Sequence, residues 1–292
     1  MKLAFSTSIC PDFNLDALID KARGWGYDGI EVAQPEARGG SALGESLRAH
    51  AGTVRQKLQD AGVQLSALDA GRFVPPTGPA ANGRAANLRE SLELAEALGC
   101  GLVVLRPGPL WPGADKLRLL HAYARALEAA AAEAAGRGIA LAVENLGVLA
   151  LSQDLWHVRD AAGAPALRFC FNPLSSRLAG DSPSLAVKRL GAALALVHLA
   201  DARLGGDGAP QYVAPGSGEL NLPYILELLK GLAYPGWVCL RWPAGALTSA
   251  PVEELLAAGA EFLRAERDKP RVELTAYKGD DKLPRYATRQ PH

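Results

Sequence analysis

Eight short apolar runs recur along the chain: LAFST (3–7), GIEV (29–32), VQLSALD (63–69), GLVVLR (101–106), IALAVE (139–144), LRFCFN (167–172), LALVHLAD (194–201) and WVCLR (237–241). Their hydrophobicity is continuous rather than alternating. That suits strands covered on both faces, as in a parallel sheet. The segments between them carry helical spacing. LDALIDKARGWG places Leu15, Leu18, Ile19 and Ala22 on one face, and NLRESLELAEALG does the same with Leu88, Leu92, Ala95 and Leu98. A long Ala-rich helix is expected in DKLRLLHAYARALEAAAAEAAGRG, and PVEELLAAGAEFLRAE closes the series. Several of these segments end in Gly just before the next strand (GWGYDG, LQDAGV, EALGCG, AAGRGI), where a left-handed C-cap is favoured.

Eight strand–helix units running to about residue 269 predict a single (β/α)8 TIM barrel, with a doubly wound open sheet as the rival. No linker or composition shift divides residues 1–269. The polar, Pro-containing segment 270–292 lies outside the pattern and reads as a strapped-down or partly ordered tail, or as an oligomer contact.

Composition narrows the function classes. Lys plus Arg and Asp plus Glu both number 31, so the formal net charge is zero. That balance speaks against a nucleic-acid or anionic-membrane partner. The opening MKLAFSTSICPDFNLD is interrupted by Ser6, Thr7 and Ser8 and reads as a first strand rather than a signal peptide. No stretch approaches the ~20 apolar residues of a membrane span. Cys10, Cys100, Cys170 and Cys239 are scattered without CxxC spacing, which fits buried, reduced thiols in a cytoplasmic protein.

In a barrel the chemistry belongs at the C-terminal ends of the strands. The polar residues there are Glu31, Asp69, Arg106, Glu144 with Asn145, Asn172, His198 with Asp201, and Arg241. Any one of them can be a solvated or capping charge. Glu144 and His198 end strongly apolar runs, where a group without a partner is costly. Catalytic or ligating duty is at least as well supported for these two as a satisfied core role.

Four stretches carry a family resemblance: VENLG (143–147), NPLSSRLAG (172–180), VHLADAR (197–203) and GSGELNLPYILELLKGLAYPGWVCLRW (216–242). Together with the opening LAFSTSICPDFNLDALIDKARGWGYDGIEV, they resemble the xylose isomerase-like barrels, the sugar and sugar-phosphate isomerases and epimerases. The resemblance spans roughly residues 1–265. It implies a divalent metal (Mn, Mg, Co or Zn) held by a Glu, an Asp, a His and a Glu after the fifth to eighth strands. Two of these ligands serve as acid and base at a sugar carbon. Carried over, Glu144 and His198 match. The Asp position holds Asn172, the last Glu position holds Arg241, and a substrate-contacting His three residues after the Asp is Ser175. Arg203 resembles the family's substrate-contacting Arg.

Arg cannot be deprotonated in a protein and donates rather than ligates. Beside a bound divalent cation it would be strongly repelled. The sequence therefore predicts that Arg241 replaces the metal's charge and pairs with Glu144, with His198 neutral and no metal or other cofactor. Asn172 supports this, because it offers a neutral carbonyl in place of a hard anion.

Three readings follow. One is a metal-free isomerase or epimerase, with Glu144 as base and Arg241, Arg203 and Arg106 binding an anionic, carbohydrate-like substrate. In this reading Glu31, Asn172, His198, Trp111 and Trp242 also line the mouth. A second is a noncatalytic carbohydrate-binding or structural homologue. A third is a metal-dependent isomerase using Glu144, His198 and Asn172 with other ligands such as Asp201 or Glu31. The related DNA-repair endonuclease barrels need several His ligands, and five His with zero net charge set that reading aside. GSGEL (216–220) reads as a helix-entry turn, with a phosphate site as the alternative. Arg106-Pro107-Gly108-Pro109 is a stiff loop that places Arg106 over the mouth, and His157 falls in a helix facing solvent or a neighbour. Family habit implies a homodimer or homotetramer.

Overall fold

The computed structural model describes residues 1–33, 42–75, 88–206, 208–243, 245–246 and 248–270. Seven strands alternate with helices: β1 (Lys2–Ser6), β2 (Gly29–Ala33), β3 (Gln64–Phe73), β4 (Leu102–Pro107), β5 (Ala140–Glu144), β6 (Arg168–Phe171) and β7 (Leu194–Leu199). After them come a short pair, β8 (Asp201–Leu204) and β9 (Pro210–Val213), and finally β10 (Trp237–Leu240). β1–β7 and β10 close into a parallel barrel in the order β1-β10-β7-β6-β5-β4-β3-β2. The open-sheet rival is excluded by the β1–β10 pairing, which sets Lys2 beside Trp237 and Phe5 beside Leu240. The tail expected over 270–292 lies outside the described residues, apart from Pro270.

The helices form where sequence and caps agree. α1 (Leu15–Trp25) starts on Asn14, whose side chain accepts from the Ala17 amide, and stops at Gly26 with φ 80°. α2 (Ala42–Ala49) and α3 (Ala51–Ala61) follow, then α4 (Leu88–Leu98) and α5 (Lys116–Gly136), the last capped by Asp115. α6 (Ser152–Ala161), α7 (Pro173–Leu178), α8 (Pro183–Leu190), α9 (Leu222–Gly231) and α10 (Val252–Asp268) complete the ring. Among the described residues no helix is long and apolar enough to cross a membrane.

Strand parity places the site. Ala4, Ala67, Leu102, Val104, Ala142, Cys170, Leu196 and Cys239 form one buried cluster of mostly small residues inside the barrel. Their neighbours Leu3, Phe5, Phe169, Phe171, Val197, Val238 and Leu240 join the larger core beneath the helices. Two residues beyond members of the inner cluster come Asp69, Arg106, Glu144, Asn172, His198 and Arg241. A period of two keeps these side chains on the inner face, now at the C-terminal rim. The strands of the barrel lie so close that Gly29 has no room for a side chain. A Cβ there would sit 2.4 Å from the Gln64 carbonyl and 2.9 Å from the Trp237 ring.

Two readings of the sequence need correction. LALVHLAD is not one strand: β7 ends at Leu199, and Asp201 begins the antiparallel β8–β9 hairpin, which the apolar pattern did not reveal. The third strand also runs past Asp69 to Phe73.

The close approach at Gly29 generates a test. Gly29→Ala forces a methyl against backbone and is expected to lower stability by ~1–3 kcal/mol. A fall in the urea midpoint with an unchanged m-value is the result that would bear this out.

Candidate active site

Asp69 is fully buried at the centre of the rim. Its Oδ1 accepts from the Gly71 amide at 2.8 Å and from Arg106 Nε at 3.0 Å. Its Oδ2 accepts from an Arg241 terminal nitrogen at 2.8 Å. Burial alone would raise the Asp69 pKa. Arg106 and Arg241, helped by the Gly71 amide, outweigh that and hold it below the usual carboxylate range. Two guanidiniums are thus bridged by one carboxylate.

A second layer lies beside it. His198 Nε2 is 2.7 Å from Glu31 Oε2. Its Nδ1 is 3.2 Å from Glu144 Oε1, an ion-pair distance at which the ring is not aligned for a hydrogen bond. Glu144 Oε1 also accepts from the Asn172 amide nitrogen at 2.8 Å. Burial disfavours the charged forms of both Glu144 and His198. For Glu144 this is outweighed by His198 and Arg241, which hold its carboxyl far below the ordinary range. For His198 it is outweighed by the Cys170 sulfur and the Glu31 and Glu144 carboxylates, which push the imidazole well above its ordinary 6.5. Burial lifts the Cys170 thiol to about 11, so at neutral pH the carboxylates are the anions that matter to the ring.

The expectation of a neutral His198 runs against this setting: the ring stands between two carboxylates, which favour its protonated form. The expected Arg241–Glu144 ion pair forms, but without the expected hydrogen bonds. Arg241 lies 3.9 Å from Glu144 and 3.5 Å from Glu31, but its hydrogen-bonded partner is Asp69. Asp69 was visible as a strand-end acid, yet nothing in the sequence says that β3 faces β10 across the barrel.

Charges balance across the cluster. Glu31, Asp69 and Glu144 oppose Arg106, Arg241 and the His198 imidazolium. Hydrogen bonding is less complete. Glu31 Oε1, Glu144 Oε2 and Arg241 Nε are buried without hydrogen-bond partners. Unmated buried polar atoms are uncommon and costly, and here they gather around one guanidinium.

The other predicted residues divide. Asn172 is the N-cap of α7: its carbonyl accepts from the Ser175 amide at 3.0 Å, which turns its NH2 to Glu144. Asn145 locks that turn, donating to the Asn172 carbonyl and to Ser176 Oγ and accepting the Asn172 amide. Trp242 is buried with its ring stacked on Tyr212 at 6.0 Å, and Trp111 packs half-buried against the core. Arg203 is not brought to the cluster: it is exposed on β8 and donates to the Ser217 carbonyl. Asp201 is not positioned as a ligand either. It accepts from the amides of Ala202, Gly216, Gly218 and Leu220. His157 stacks on His121, with ring centroids 5.9 Å apart.

Among the described residues, no three His, Cys, Asp or Glu side chains are arranged to hold a metal ion.

The His198 shift sets a pH dependence. A base whose folded pKa is raised contributes stability that is full below its unfolded value and is lost as pH rises through the folded value. Unfolding free energy should therefore decline above about pH 6.5, by at most ~1.4 kcal/mol per pH unit. Denaturant titrations at stepped pH, repeated on His198→Gln, check this: the variant should lose that alkaline slope.

Known proteins agree with the fold and narrow its class. A 2-oxo-tetronate isomerase from Cupriavidus necator is 25% identical over 260 residues, covering 84% of this chain and 95% of that protein. A Streptomyces coelicolor protein named "Putative hydroxypyruvate isomerase" is 26% identical over 231 residues, covering 72% and 80%. Among solved structures, a D-tagatose 3-epimerase-like protein superposes with a TM-score of 0.72 at 19% identity, covering 91% of this chain and 97% of that one. An IolI protein with a bound zinc atom gives 0.74 at 17% identity, covering 91% and 98%. The model of the family described as xylose isomerase-like TIM barrel matches residues 19–266, and the chain belongs to that family.

Proposed function

We propose that this barrel is an isomerase of small hydroxylated oxo acids that works without a divalent metal. The observation that carries it is the rim itself, where Glu144 keeps one oxygen unmated beside the Arg241 guanidinium. The names of the 25–26% identical relatives, isomerases of a 2-oxo-tetronate and of hydroxypyruvate, support the substrate class. Both names describe an anion with a hydroxyl beside a carbonyl.

The donor set does not fit a divalent cation. The Arg241 guanidinium lies within 4 Å of Asp69, Glu31 and Glu144, where a cation bridging those acids would meet it. Asn172 presents NH2, not oxygen, to Glu144, because its carbonyl caps α7. Asp201, the other acid considered as a ligand, is committed to four backbone amides. Arg241 and the His198 imidazolium supply the positive charge that the carboxylates require.

In this mechanism Arg106 and Arg241 hold the substrate carboxylate by charge-assisted hydrogen bonds. Glu144 Oε2 takes the proton from the carbon that bears the hydroxyl. The electron pair moves to the adjacent carbonyl oxygen, giving an enediolate that the guanidiniums stabilise. The same proton returns to the former carbonyl carbon while the hydroxyl proton shifts between the oxygens, so ketone and aldehyde exchange with no net loss or gain.

A second reading, ligand binding without turnover, is favoured by one observation. Glu144 is fully buried and its proton affinity is held far down by His198 and Arg241, which makes it a weak base.

Two experiments decide. Conversion of hydroxypyruvate to its aldehyde isomer, followed by NMR in the presence of chelator, should proceed in the parent. Glu144→Gln should lower it by ~10²–10⁴-fold while hydroxypyruvate still raises the melting temperature. Binding without conversion by the parent would establish the second reading. Separately, Arg241→Glu with Asn172→Asp should bind manganese by calorimetry and elemental analysis where the parent does not. A stoichiometric metal in the parent would overturn the metal-free assignment.

A further inference from the structure

We infer that the ligand's negative charge is a single carboxylate and that the mouth rejects phosphate monoesters. This rests on the reading of the rim as a site for small hydroxylated oxo acids, and narrows it.

The first observation is a cradle already filled. Barrels often take phosphate on backbone amides in the loops after the seventh and eighth strands. In this chain the corresponding turn is 214–221, between β9 and α9. Three of its amides point at one internal acceptor: Gly216 and Gly218 donate to Asp201 Oδ2 at 2.9 Å, and Leu220 donates to Oδ1 at 3.2 Å. The Ala202 amide adds a fourth bond at 3.0 Å. Asp201 is only 1% exposed. The fit is tight enough that a Cβ on Gly218 would lie 2.1 Å from Asp201 Oδ1. A covalently tethered carboxylate thus occupies the place an external phosphate would need. Arg203, a cation of the same hairpin, is exposed and bonds the Ser217 carbonyl.

The second observation is charge. Three carboxylates already face two guanidiniums and one imidazolium at the rim. A carboxylate adds one negative charge to this balanced set, whereas a phosphate monoester adds about −1.5 to −2 at neutral pH. The desolvation cost of an ion grows with the square of its charge, so the dianion loses more on entry. The layering favours the smaller anion. The guanidiniums are outermost, with Arg106 13% and Arg241 6% exposed at the side chain, while Glu31, Asp69, Glu144 and His198 are sealed at 0%. Their forks can seat either anion, so the discrimination rests on charge and on the filled cradle.

Calorimetry on the full-length protein with four matched probes separates the outcomes: dihydroxyacetone, hydroxypyruvate, and the phosphate monoester of each. Hydroxypyruvate should bind at least about tenfold tighter than dihydroxyacetone, the worth of a charge-assisted contact. Phosphorylation should weaken each parent compound by about tenfold or more. Phosphate esters binding as tightly as their parents would overturn this inference and leave the oxo-acid site standing. Equal binding of dihydroxyacetone and hydroxypyruvate would overturn the carboxylate assignment. Binding of none would overturn both this inference and the reading it rests on. Asp201→Ala, checked for native circular dichroism, frees the three amides and should gain at least tenfold in affinity for dihydroxyacetone phosphate. A folded variant without that gain would refute the cradle argument, and the four wild-type measurements stand whether or not it folds.

Discussion

The buried guanidinium of Arg241 is the constraint around which the rim is organised. A charge moved from water into a barrel interior loses several kcal/mol of solvation unless anions and hydrogen bonds replace it. Asp69 supplies the hydrogen bond, and Glu31 and Glu144 supply further negative charge at 3.5 and 3.9 Å. Those acids would repel one another without it. His198 then completes the balance by holding a proton between Glu31 and Glu144. Each member is tolerable only because the others are present, so the six side chains act as a unit rather than as separate pairs.

In the metal-free reading proposed above, the guanidinium takes the electrostatic place that a divalent ion could hold among strand-end carboxylates. A divalent ion and a guanidinium solve the same electrostatic problem of gathering carboxylates at strand ends. They differ in geometry, because a metal requires oxygen donors pointing at one centre and a guanidinium requires acceptors around a planar fork. Asn172 fits the second pattern: capping α7 with its carbonyl leaves an NH2 for Glu144. The neighbouring hairpin has a comparable internal solution, with Asp201 satisfying backbone amides that would otherwise stand open. A barrel hosts many chemistries, so these local choices, not the architecture, carry the functional reading.

What the sequence determined is the set of elements and their order. Continuous apolar runs, helical spacing and Gly C-caps are each patterns within one element, and such local patterns are readable without partners. They located all eight barrel strands, and their place in the apolar runs put Glu144, His198 and Arg241 at or near strand ends. The β8–β9 hairpin escaped because its short strands are half exposed and lack an apolar run. Pairing was decided only by closure of the barrel. Asp69 and Arg241 are separated by 172 positions, and Glu31 and His198 by 167. No local pattern encodes which of several carboxylates will be nearest a given cation. The upward shift of His198 depends on the same closure, since it arises only when Glu31 and Glu144, brought from strands two and five, both reach the buried ring.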